Sequence, residues 1–174
     1  MNVGTCVFAV AAAVVALMAT FAPVAADDGR AAVSKPAPKF LLETPTGGTL
    51  TLHDFAGKPL VLNAFASWCP PCRHELPLLA ASARRFAPRV TFLGVDEQEA
   101  TEIAAAFAKQ MHVPYAIAID RGQFAASYGA VSLPVTIFID RHGIVRAIQH
   151  GAIDAPTLAR DLGRITQPIS GASI

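Results

Sequence analysis

Cys69 and Cys72 are separated by two prolines and stand where an apolar run, Leu60–Ala66 (LVLNAFA), gives way to a segment with helical spacing, Pro70–Phe86. A buried strand that passes straight into a helix is half of a βαβ unit, which commits the chain to an α/β architecture. In that helix Leu76, Leu79, Ala83 and Phe86 recur on one face. A second strand is predicted at Val90–Val95, a helix at Glu99–Met111 and a strand at Tyr115–Ile119, followed by a short helix through Phe124 and Tyr128. Val135–Asp140 and Ile144–Gln149 read as strands around the turn Arg141-His142-Gly143, and Asp154 caps a final helix to Ile165. Upstream, Phe40–Glu43 and Thr49–His53 flank Pro45 and Gly47-Gly48, a hairpin signal. The sum is an α/β sandwich with a mixed sheet.

Charge divides the chain. Every one of its 14 basic and 13 acidic residues follows Ala26. Val7–Leu17 is an apolar stretch of signal-sequence length, and Val24-Ala25-Ala26 offers small residues for cleavage before Asp27. No Lys or Arg precedes the run, so three readings stand: a cleaved export signal, an uncleaved membrane anchor, or a misassigned start of a cytosolic chain. The cleaved signal is favoured. Residues 27–38 (DDGRAAVSKPAP) read as a linker, 39–166 as the folded domain and 167–174 as a Pro-, Gly- and Ser-rich tail. The net charge of +1 gives no basic stripe for nucleic acid. A 53% hydrophobic content is too high for intrinsic disorder.

The cysteine pair has few physical uses. A disulfide closing so short a loop contributes only about 2 kcal/mol by loop entropy, so stability is a poor reason for it. Structural zinc needs four ligands, and the histidines at 53, 74, 112, 142 and 150 are scattered with no second CxxC. Haem attachment needs His after the second cysteine, where Arg73 stands. Redox exchange remains. Cys69 falls at the N-cap of the helix, where the dipole favours a thiolate. Neither Pro70 nor Pro71 has an N–H to offer its sulfur, which leaves the amide of Cys72. One donor implies a moderate pKa depression and a reducing couple, because stabilising the thiolate form raises the potential.

Val61–Cys72 (VLNAFASWCPPC) and Arg73–Pro77, with Gly57-Lys58-Pro59 upstream and Leu133–Asp140 (LPVTIFID) downstream, closely resemble the TlpA/ResA/CcmG group of thioredoxin-like, envelope-located thiol–disulfide oxidoreductases. The resemblance covers about Pro38 to Ile165. It implies a thioredoxin fold, a central mixed β-sheet flanked by helices, with an added N-terminal β-hairpin. It also implies that Cys69 is the exposed, attacking nucleophile and Cys72 the resolving thiol, and that their redox-active disulfide is the only cofactor, with no metal. Trp68 would shield the site, and Pro134 would be a cis-proline beside the disulfide. The Leu133 backbone would pair with an incoming peptide, and Pro70 and Pro71 would complete the substrate-binding surface. Pro77 would kink the helix.

The resemblance extends to partners. A DsbD/CcdA-like membrane transporter would return electrons, and apocytochrome c or copper-insertion factors would be clients. Proton transfer departs from thioredoxins proper, since Asn63 replaces their buried Asp and cannot ionise. The group's acid would follow the next strand, where register favours Glu99, then Glu97; the alternative for Glu99 is a solvated acid in a first helical turn. His74 and Glu75 are expected to be solvated. Two other functions compete. A peroxiredoxin-like peroxidase would need a Pro-x-x-x-(Thr/Ser)-x-x-Cys setting, which is absent. A Cu(I)-binding module would need a third ligand, for which His142 and His150 are weak candidates.

Overall fold

The computed structural model describes residues 29–167. The apolar leader at 1–26 and all but the first residue of the tail at 167–174 lie outside the described residues. Seven strands form one sheet: β1 Leu41–Glu43, β2 Thr49–Thr51, β3 Leu60–Phe65, β4 Thr91–Glu97, β5 Ala116–Asp120, β6 Val135–Ile139 and β7 Val145–His150. Among the described residues four α-helices accompany them: α1 Pro70–Phe86, α2 Thr101–Gln110, α3 Gln123–Tyr128 and α4 Ala155–Thr166. None of the described helices is long and apolar enough to cross a membrane.

The strand order is β2-β1-β5-β4-β3-β6-β7. β3, β4 and β5 run parallel, while β6 is antiparallel to β3, and β7 to β6. β1 and β2 form the added hairpin, joined to β5 through Glu43 opposite Ile119. The mixed sheet and the hairpin both match the expected thioredoxin-like architecture.

Alternation along β3 divides the core. Leu60, Leu62 and Ala64 face Phe40, Phe124 and Tyr128 on one side. Val61 faces the other side, against Leu79 of α1 and Leu158 and Leu162 of α4. By the same period Asn63 points toward α1. Phe65 closes the end of that side with Leu76 of α1 and Phe107 of α2.

Gly94 in the centre of β4 is required by this packing. A Cβ there would lie 2.8 Å from Cε1 of Phe65 and 3.2 Å from Cγ2 of Ile117. Both neighbours belong to the core around the cysteines. Gly94→Ala is therefore expected to destabilise the fold by about 1–3 kcal/mol through overpacking, measurable by urea denaturation.

Part of the expected linker lies against the folded domain. Within 27–38, the amides of Ala31, Ser34 and Ala37 donate to the carbonyls of Ser127, Val145 and Gly143 at 2.7–2.8 Å. Pro36 forms a bridge with Ile144. Residues 34–37 thereby pair with the start of the edge strand β7 and the turn before it, satisfying backbone groups there.

Candidate functional site

β3 ends at Phe65, and Ser67-Trp68 lead into Cys69, the N-cap of α1. Pro70 and Pro71 occupy the first turn, where the missing N–H groups have no intrahelical partner to lose. Cys69 and Cys72 form a disulfide. The amide of Cys72 donates to Cys69 Sγ at 3.2 Å, the one donor expected there. Cys69, expected to be exposed, is buried in the oxidised pair at 3% exposure, against 0% for Cys72, and is the less enclosed of the two.

Ser67 is held on all its polar groups. Its amide and hydroxyl donate to the two carboxylate oxygens of Glu99, each at 2.6 Å. Its carbonyl accepts from Nε and Nη2 of Arg73 at 3.1 and 2.7 Å. Arg73 in turn lies over the Phe107 ring, 4.6 Å from its centroid. Partial burial works against the charge on Glu99, but the Ser67 hydroxyl and amide, with Asp96 and Arg73, outweigh it and hold the group below the usual carboxylate range. Glu99 is thus an anionic clamp on the approach to the cysteines.

Asp96 supports that clamp from below. Its Oδ2 is buried with no donor to accept from. A proton on that oxygen converts it into a donor toward Glu99. Burial, and then the hydrogen bond and charge of Glu99, push Asp96 up to about 8. Glu97 points into the other side of β4, where burial and the charge of Asp120 raise it to about 7.

Glu75 contradicts its expected solvation: it is 2% exposed. Lying three residues beyond Cys72, it shares the buried stripe of α1 with Cys72, Leu76 and Leu79. Its Oε1 accepts from Asn63 Nδ2 at 2.7 Å and its Oε2 from the amide of Ile153 at 2.8 Å. Burial raises it to about 7 against the pull of those two hydrogen bonds. The stripe was readable: continuing Leu79 and Leu76 backward by one turn reaches 75 and 72. His74 is exposed, as expected.

The Leu133–Pro134 peptide is cis, as is Ala87–Pro88, which no sequence signal marked. Leu133 is half-buried against the cluster that holds both cysteines. The Pro134 carbonyl accepts from Gly151 N at 2.9 Å. The loop after β7 therefore ties the proline to Glu75 through Ile153. Trp68 is 67% exposed; with exposed Pro70 and Pro71 it gives the rim of the site an apolar surface. Pro77 lies within α1 on its outer side. No group of three or more His, Cys, Asp or Glu among the described residues is placed to hold a metal ion.

Comparison with known proteins agrees with this arrangement. Residues 33–148 match the AhpC/TSA family. The chain is 34% identical over 125 residues to the thiol:disulfide interchange protein DsbE of Pseudomonas fluorescens biotype C, covering 70% of this chain and 68% of that one. It is 31% identical over 115 residues to the thiol-disulfide oxidoreductase ResA of Bacillus thuringiensis subsp. konkukian, covering 65% and 66%. Among solved structures, a putative thiol:disulfide interchange protein DsbE from Chlorobium tepidum superposes with a TM-score of 0.72 at 28% identity, over 79% of this chain and 99% of that one. With a cysteine pair at the mouth of a thioredoxin-like sheet and these relatives, the chain belongs to the AhpC/TSA family and is a thiol–disulfide oxidoreductase of the ResA and DsbE kind.

Proposed function

We propose that this protein is an exported reductase of protein disulfides in which Glu75 takes the proton that Cys72 must lose. The observation that carries the reading is the asymmetry of the site: an outer sulfur at a helix N-terminus, and an inner one on the same buried stripe as a carboxyl of neutral titration. In the reduced protein the Cys69 thiolate attacks a client disulfide, forming a mixed disulfide and releasing the client's first sulfur as thiolate. Cys72 then passes its proton to Glu75 and attacks Cys69, and the client's second sulfur departs. Two electrons reach the client, and Cys69–Cys72 is left oxidised. A carboxyl near pKa 7 suits this work, since a base is most effective when it titrates near the working pH.

Glu99, favoured from the sequence for this transfer, is assigned a positioning role through its hold on Ser67. Trp68, Pro70, Pro71, Leu133 and Pro134 form the client surface, with the Leu133 backbone free to pair with an extended peptide. Export rests on the leader at 1–26. An extracytoplasmic compartment is oxidising, so re-reduction needs a membrane donor of the DsbD/CcdA type.

The client is apocytochrome c, whose CxxCH cysteines must be reduced before haem attachment, or a copper-insertion factor. The test offers the reduced protein a disulfide-bonded CxxCH peptide beside insulin. Both should be reduced while the protein is recovered oxidised. Reduction of insulin alone would remove the cytochrome client, and reduction of neither would remove the reductase reading.

A further inference from the structure

A cavity of about 640 Å³ opens at the pole of the sheet opposite the cysteines, bordered by the first residue of β3 and the last of β6. The length of β3, about 17–20 Å, separates it from the redox site. We infer that this cavity is a second binding site, built for a single-chain amphipathic anion with an acyl-type body and one carboxylate.

Its floor is apolar: Phe40, Leu60 and Ile139 are buried, and Phe55 is half-buried beside Phe40. Its rim is cationic, with Lys39, Lys58 and Arg141 exposed around the mouth. Among the described residues, no hydrogen bond or ion pair engages the side chain of Lys39 or Lys58, and Arg141 reaches only the His142 ring, at 3.1 Å.

The lining holds one acid, Asp140, and its charge is consumed internally. Its Oδ1 accepts from the amides of His142 and Ile144 at 2.8 and 3.0 Å, and its Oδ2 pairs with Arg146 at 2.6 Å. Three cations therefore border the opening against one nearby carboxylate, that of Asp54, which accepts from the amide and hydroxyl of the lining residue Thr51, and this excess of positive charge stands above a largely apolar surface. An inorganic anion would leave the floor wet, and a neutral lipid would leave the cations without counter-charge. A ligand carrying both an apolar body and an anion satisfies both requirements. The volume lies within the range of small-molecule sites, about 300–1,000 Å³.

Calorimetric titration of the oxidised protein with dodecanoate below its micellar concentration tests this, beside dodecyl maltoside, inorganic phosphate and anionic phospholipid vesicles. Dodecanoate is expected to saturate at one molecule per chain. The maltoside should bind roughly tenfold or more weakly, and phosphate should not bind. Lys58→Glu combined with Arg141→Glu should weaken dodecanoate by about tenfold or more while leaving insulin reduction unchanged. Absence of saturable dodecanoate binding, equal affinity for the neutral amphiphile, or full affinity in the double variant would overturn the assignment. So would binding to vesicles without binding of the monomeric anion, which would mark a membrane-facing surface instead.

Discussion

Replacing Cys69 by Ser is expected to reduce insulin turnover to the uncatalysed rate, whereas Cys72→Ser should still attack and then stop at the mixed disulfide. The two sulfurs differ in setting. Cys69 caps α1, where the dipole and the Cys72 amide favour a thiolate, and it is the outer of the pair. Cys72 is wholly enclosed and can meet only Cys69. Intact-mass analysis after mixing with a disulfide-bonded peptide separates the outcomes: an adduct of Cys72→Ser plus peptide, and none for Cys69→Ser. An adduct on Cys72 in the Cys69→Ser variant would reverse the assignment of roles.

Glu75→Gln should slow the resolving step by about a hundredfold, the usual contribution of a positioned acid–base group, and remove the rate inflection near pH 7. Glu99→Gln is expected to lower the rate while keeping that inflection, because its carboxylate acts through Ser67 and titrates well below neutrality. Stability carries the same signature. Folding raises Glu75 from 4.5 to about 7, so the native state holds a proton that the unfolded chain has released. Its contribution is fully present below pH 4.5 and is lost as pH rises through 7. Relative to Glu75→Gln, the parent protein should lose about 3 kcal/mol between pH 4 and 8. Asp96 and Glu97, also raised, push in the same direction. The variant itself should fold once the Asn63 amide turns over, which brings Oδ1, without a donor in the parent, to the introduced NH2 in place of the Nδ2 that faces Glu75 Oε1, while the retained oxygen accepts from Ile153 N.

The sheet was legible because its strands obey simple periods, and the strand entering the cysteine pair dictated the rest. The errors have physical causes. Glu75 was read as solvated from its residue type, although the stripe of Leu76 and Leu79 already placed position 75 inside. The bond from Ser67 to Glu99 spans 32 residues and depends on where β4 ends relative to β3, a register that no local pattern encodes. Asp96 had no role in the sequence reading, because its raised pKa comes from burial and from the charge of Glu99 folded beside it. The N-terminal stretch at 27–38 looked loose because of its prolines, yet proline leaves carbonyls and neighbouring amides free to dress a strand edge. The cavity at the far pole draws on residues from Lys39 to Gly143, so no single segment announces it.

Equilibrating the protein in glutathione buffers of graded potential, with thiol alkylation and mass counting, tests the central chemistry most directly. Two thiols should appear together in one two-electron step, at a potential well below about −120 mV, in a protein that stays folded. A pair that remains closed under excess dithiothreitol, or a midpoint near −120 mV, would contradict a reductant working through Cys69 and Cys72.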